Sequence, residues 1–77
     1  MKKNRRGWKT ERMEDTLQYI SHYLETEGFS PTVREIQAYL GVLSTSTAWM
    51  VLCDLREKGY ISMQEGRPRT IRVLHEI

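Results

Sequence analysis

The apolar residues in the first third of the chain recur at the spacing of a helix. Four of them are separated by four, three and four positions and so line one helix face: Met13, Leu17, Ile20 and Leu24. Thr10 is a suitable N-cap before this face, and Gly28 supplies the left-handed residue that ends a helix. The pattern predicts an amphipathic first helix that begins at Thr10.

Two shorter helices are predicted next, with a turn containing Gly41 between them. Thr32 and Glu35 follow a proline at the spacing of a capping box and mark the start of the second helix. Ser44 is the candidate cap of the third helix, and Gly59 ends it. The predicted inward faces are Val33, Ile36 and Leu40 on the second helix, and Ala48, Val51, Leu52 and Leu55 on the third.

The last part of the chain changes from a helical to an alternating pattern. Ile61 and Met63 alternate with polar residues, and Ile71 and Val73 do so again after the turn residues 65–68. Alternation on both sides of a turn is typical of a β-hairpin with one apolar face.

The expected fold is mostly α with a small antiparallel β-hairpin, which is the winged helix-turn-helix arrangement of three helices plus a wing. This domain would span residues 10–77, and residues 1–9 would form a flexible basic arm in front of it. A chain of 77 residues has room for one domain and little room for a deep enzyme cleft.

Residue types that carry catalysis or bind metals are sparse. Cys53 is the only cysteine, which excludes an internal disulfide and a multi-cysteine metal site. His22 and His75 stand far apart along the chain and have no evident ligand partner. No apolar run is long enough to span a membrane, and none follows the N-terminal charges as in a signal peptide. We therefore expect a cytoplasmic protein that is not an enzyme and needs no metal or cofactor.

The net charge is only +2, but the charge is unevenly distributed. Residues 1–12 carry a net charge of +5, residues 13–57 carry −5, and residues 58–77 carry +2. Positive charge gathered at the chain ends suits a phosphate backbone, and Arg5 and Arg6 are candidates for contacts to it. The alternative interpretation of the first segment is a solubilising, disordered tail.

The predicted third helix begins with four consecutive hydroxyl side chains, Ser44, Thr45, Ser46 and Thr47. Hydroxyl residues suit a helix start, and they can bond to phosphates or base edges when the first turns of a helix enter the major groove. The simpler interpretation is helix capping, which needs Ser44 alone. Because capping leaves three hydroxyls unexplained, we predict that these residues read DNA bases.

Two further features adjoin this helix start and the hairpin turn. Trp49 and Met50 lie on the side of the third helix away from its apolar face, which indicates groove contact, a protein-partner surface, or packing against the hairpin. We include both among the predicted base-reading residues. Arg67 and Arg69 flank Pro68 in the turn, where guanidinium groups suit phosphate contacts, with a solvated turn as the alternative.

Several segments of the chain carry a family resemblance between about Thr10 and Leu74. They are Gly28 to Ile36, Leu40-Gly41, Ser44 to Thr47, Leu52, Leu55, Lys58 to Ile61, and Pro68 to Ile71. Together they resemble the N-terminal DNA-binding domain of the LexA repressor family. The resemblance implies a dimer that binds a palindromic operator.

The resemblance also implies roles for individual residues. It assigns base reading to Ser44, Ser46, Thr47, Trp49 and Met50. It places Arg34 near the helix that contacts the DNA backbone, where Thr32 is a further candidate, and it places Arg67 and Arg69 on the wing.

The expected function is that of a sequence-specific regulator of transcription that binds double-stranded DNA, of the kind that represses the SOS response. We expect a LexA-like protein of a bacterium, phage or mobile element that lacks the family's second, self-cleaving domain. The alternative is a protein-interaction module on the same fold, which heterodimerises with or inhibits another regulator through Trp49 and Met50.

Overall fold

A computed structural model describes residues 7–75, with side chains from residue 11 onward. Three helices are followed by two short strands: α1 Gly7–Glu27, α2 Val33–Leu40, α3 Thr45–Glu57, β1 Ile61–Ser62 and β2 Arg72–Val73. The two strands pair in one antiparallel sheet. The predicted fold class, a mostly helical winged helix-turn-helix, is confirmed.

The start of α1 differs from the prediction. The helix begins at Gly7, so Thr10 lies inside it and is not its cap. The positions three and four before Met13 are Thr10 and Lys9, which are polar, so the apolar pattern of the sequence gives no sign of the earlier start. The last three residues of the predicted arm therefore belong to α1, and Arg5 and Arg6 lie outside the described residues.

The start and end of α2 follow from local chemistry. The Thr32 N–H donates to Glu35 Oε1 at 2.9 Å, and the Glu35 N–H donates to Thr32 Oγ1 at 3.2 Å, which confirms the capping box. Gly41 follows α2 with a left-handed φ of 72°, and its N–H donates to the Gln37 carbonyl at 3.0 Å. The chain then bends, so that α2 and α3 lie at 103° to each other.

The core draws side chains from all three helices and both arms of the hairpin. Its buried members are Met13, Leu17, Ile20, Ile36, Ala48, Val51, Leu52, Leu55, Ile61 and Ile71. The predicted inward face of α3 is therefore confirmed in full. Thr16 is also buried, and its hydroxyl donates to the Arg12 carbonyl at 2.7 Å, so the polar group is satisfied within its own helix.

The two strands of the wing form fewer residue pairs than the alternating pattern predicts. Only Ile61 with Val73 and Ser62 with Arg72 pair across the strands. Beyond them the Thr70 hydroxyl takes the place of a backbone partner, because it accepts from the Gln64 N–H at 2.9 Å and lies 3.0 Å from the Arg67 carbonyl. The loop that carries the wing arginines is thus closed by a side chain.

Candidate nucleic-acid interface

The start of α3 presents hydroxyl groups to solvent. Ser44 is the N-cap, and its Oγ accepts from the Thr47 N–H at a long distance of 3.4 Å and lies 3.3 Å from Thr47 Oγ1. Thr45 and Ser46 are exposed, and neither hydroxyl has a hydrogen-bond partner within the described part of the chain. Ser44 therefore caps the helix and its hydroxyl pairs with that of Thr47, whereas the hydroxyls of Thr45 and Ser46 remain available to a ligand.

Trp49 and Met50 occupy different surroundings one position apart. Met50 is 64% exposed, whereas Trp49 is half-buried and packs against the core. The Trp49 indole, together with Val33 of α2, also lines two surface grooves, one beside the α3 hydroxyls and one beside the wing loop. The position of Trp49 agrees with one of its three interpretations, packing next to the hairpin. The exposed side chain of Met50 can still contact DNA or a partner protein.

The groove beside the wing loop has a volume of about 310 Å³. It lies between the first turn of α2, Trp49 of α3 and the loop from Gln64 to Ile71, and it is lined by Arg34, Arg67 and Arg69. The guanidinium groups of Arg34 and Arg67 are exposed and have no ion-pair or hydrogen-bond partner among residues 11–75. The groove therefore offers two unpaired cations to an anionic ligand that lies against Trp49.

Arg69, the third arginine predicted to contact DNA, turns toward the body of the protein. Its Nη1 and Nη2 donate to the two carboxylate oxygens of Glu35, each at 3.2 Å. Nη1 also donates to the Ser30 carbonyl at 3.0 Å and lies 3.5 Å from the Tyr23 hydroxyl. The guanidinium carbon stands 4.8 Å from the centre of the Phe29 ring.

These contacts alter the ionisation of both partners. The pKa of Glu35 is lowered from its ordinary value, first by the Thr32 N–H and then by the Arg69 guanidinium. The pKa of Arg69 is raised, because the Tyr23 hydroxyl and the Glu35 carboxylate both stabilise the charged form. Arg69 and Glu35 therefore remain a charged pair through the physiological pH range.

Sequence reasoning missed four of the groups around Arg69: Tyr23, Phe29, Ser30, and Glu35 in any role beyond its cap. Ser30 is 2% exposed, and its Oγ accepts from the Ile71 N–H at 3.2 Å, which ties the helix-turn-helix to the wing. Forty-one positions separate these two residues in the sequence. No local pattern signals such a contact, and the only available hint was a serine placed between an aromatic residue and a proline.

The described residues show no cluster of three or more histidine, cysteine or carboxylate side chains that could hold a metal ion. Within the same residues, no single helix is both long and apolar enough to cross a bilayer. Only α2 and α3 taken together satisfy that test, across their 103° bend.

Comparison with known proteins places this geometry in a family. The family model described as the LexA DNA binding domain matches residues 9–70. The chain belongs to the LexA DNA-binding domain family. This match covers the helix-turn-helix, the hydroxyl-rich start of α3 and the wing loop through Thr70.

Curated LexA repressors are similar to the chain over most of its length. The repressor of Staphylococcus haemolyticus is 40% identical over 67 residues, which cover 87% of this chain and 32% of the relative. That of Lactobacillus delbrueckii subsp. bulgaricus is 44% identical over 61 residues, which cover 79% and 30%. The repressor of Bacillus thuringiensis is 40% identical over 67 residues. The chain spans about a third of the length of the LexA repressors it matches.

Proposed function

We propose that the chain is the DNA-reading part of a LexA-like transcriptional regulator and binds double-stranded DNA sequence-specifically. The observation that carries the proposal is the exposed, unpartnered pair of hydroxyls on Thr45 and Ser46, next to a groove lined by two unpartnered arginines. α3 lies at 103° to α2, and this arrangement lets the N-terminal turns of α3 enter a major groove. Membership of the family supports the same conclusion.

Each predicted DNA contact has a place in this proposal. Bases would be read from the start of α3 by Ser44, Thr45, Ser46, Thr47, Trp49 and Met50. The DNA backbone would lie in the groove, held by Arg34 and Arg67, with Thr32 at the start of α2 beside them. The sequence also predicts a backbone contact for Arg69, and its pairing with Glu35 competes with that role. Arg5 and Arg6 keep their proposed phosphate contacts from outside the described residues.

Two copies of the chain would bind the two halves of a palindromic operator, as the family resemblance implies. The half-sites would then be spaced by about one helical turn, 10–10.5 base pairs, or a multiple of it. A protein with this role would act on the chromosome in the cytoplasm of a bacterium.

Fluorescence anisotropy with labelled duplexes at several salt concentrations tests the proposal. The wild-type chain should bind a LexA-type palindrome more tightly than a scrambled duplex of the same composition. Arg67→Ala should weaken binding to both duplexes and flatten the salt slope by about 0.9, the value for one phosphate contact. Ser46→Ala should weaken binding to the palindrome alone. Absence of binding to any duplex at low salt would refute the proposal.

A second candidate function is a protein-interaction module on the same fold. The observation in its favour is the exposure of large apolar side chains near α3, with Leu43 99% and Met50 64% exposed. Light scattering after size exclusion distinguishes the two functions. Self-association or partner binding that Met50→Ala abolishes, in a chain that ignores DNA, would favour the interaction module.

A further inference from the structure

The wing loop is joined to α2 by one guanidinium group. Both Nη atoms of Arg69 are committed to the carboxylate of Glu35, in a two-pronged pair with N–O distances of 3.2 Å. The same group donates to the Ser30 carbonyl and covers the Phe29 ring. Such a planar, two-pronged arrangement fixes orientation as well as distance.

The backbone of Arg69 also has an unusual conformation. Arg69 is the only non-glycine residue with a positive φ, 59°, in the part of the chain that the structure describes. An arginine in the left-handed region is strained and persists when its surroundings hold it there. Arg69 follows Pro68 in a turn, and in this backbone conformation its side chain reaches the Glu35 carboxylate and the Ser30 carbonyl.

The neighbouring residues show what this attachment positions. Arg67 is two positions from Arg69, on the same loop, and lines the groove without a partner. Thr70 closes the loop on one side, and the Ile71 N–H anchors it to Ser30 on the other. With Arg69 attached, the loop holds Arg67 toward the groove.

We propose that Arg69 is a positioning residue, which fastens the wing to α2 through Glu35 so that Arg67 faces the DNA backbone, and does not itself contact phosphate. This inference rests on the proposed DNA binding. Glu35 takes one N–H of each Nη atom and the Ser30 carbonyl takes the other N–H of Nη1, so only the second Nη2 N–H and the Nε N–H are left for a phosphate. A phosphate at either of these donors would lie beside the Glu35 carboxylate, and the repulsion between the two negative groups is unfavourable.

The substitution Glu35→Gln separates the two roles of Arg69. Glutamine also serves at this position of a capping box, so the start of α2 is kept while the ion pair is lost. If Arg69 contacts phosphate, removal of a negative charge and release of the guanidinium should tighten DNA binding. If Arg69 positions the wing, binding should weaken. A wing that keeps its binding position about 10–30% of the time raises the apparent Kd about threefold to tenfold.

Anisotropy titrations of wild type and variants, at several salt concentrations, provide the test. Glu35→Gln should weaken binding with an unchanged salt slope, because no phosphate contact is removed, whereas Arg67→Ala should flatten the slope. Arg69→Lys retains the charge but not the fork, and it should weaken binding as Glu35→Gln does. Nitrogen-15 relaxation should show faster motion of the loop amides between Gln64 and Thr70 in both variants.

A destabilised variant with unchanged charge serves as the control. Leu24→Ala lowers stability from α1 without a charge change, and its Kd should equal that of wild type when circular dichroism shows it folded. Tighter or unchanged binding by Glu35→Gln, or wild-type affinity and slope for Arg69→Lys, would overturn the positioning role alone. Wild-type protein that binds no duplex would overturn the proposed function and this inference with it.

Discussion

Substitution of Ser30 by alanine tests the contact that joins the wing to the helix-turn-helix. The Ser30 Oγ is the acceptor for the Ile71 N–H at 3.2 Å, and both residues are buried. Alanine fits the same space but leaves that N–H without a partner and out of reach of water. An unsatisfied buried donor costs about 1–3 kcal/mol, so we expect a loss of about 2 kcal/mol in the free energy of unfolding.

A loss of this size is easily measured in a domain of 77 residues. Domains this small unfold with a free energy of about 4–12 kcal/mol, and each kcal/mol lost lowers Tm by about 4–8 °C. Urea unfolding followed by circular dichroism should show a lower midpoint with an unchanged slope. Hydrogen exchange of the Ile71 amide should accelerate more than that of amides within α1.

Ser46→Ala is the matched control, since it makes the same chemical change at an exposed hydroxyl. Its effect on stability should stay within about 0.5 kcal/mol, while it impairs operator binding. A loss below about 0.5 kcal/mol for Ser30→Ala, the range of ordinary surface changes, would refute the assignment of Ser30 as the wing anchor.

Two further predictions concern the core and the Glu35–Arg69 pair. Leu52→Ala, at a fully buried position of α3, should lower the free energy of unfolding by about 2–5 kcal/mol. Met50 is 64% exposed on the same helix, so Met50→Ala should change that free energy by less than about 0.5 kcal/mol. Urea unfolding of both variants checks the prediction. The lowered pKa of Glu35 means that its ionised form stabilises the fold above the ordinary value of 4.5, and that this contribution is lost as the pH falls through the folded-state pKa. Wild type should therefore lose more stability than Glu35→Gln between neutral pH and pH values below 4.5, and parallel losses would contradict it.

Local chemistry made part of this structure predictable from the sequence. The capping box of Thr32 and Glu35 needs only two residue types three positions apart, and it forms as expected. The inward face of α3 was equally predictable, since Ala48, Leu52 and their neighbours recur at helical spacing, and these residues are buried. Such features depend on residues within one or two turns of each other.

The remaining features depend on contacts between distant segments. Glu35 and Arg69 are 34 positions apart, so a local pattern could assign Arg69 only as a wing arginine. Trp49 lies between α2 and the wing. This location depends on how α3 packs against those elements, and the spacing of residues within α3 does not reveal it. The early start of α1 could not be predicted for a different reason, because Thr10 and Lys9, the positions three and four before Met13, are polar and do not extend the apolar pattern.

The central claim is that the start of α3 reads a DNA sequence. Selection of bound duplexes from a random-sequence pool, sequenced after several rounds, tests it most directly because no operator has to be assumed. We expect enrichment of one motif, an inverted repeat with half-sites about 10–10.5 base pairs apart or a multiple of that, which Ser46→Ala fails to enrich to the same degree. A pool that wild-type protein leaves without any enriched motif would contradict sequence reading by α3.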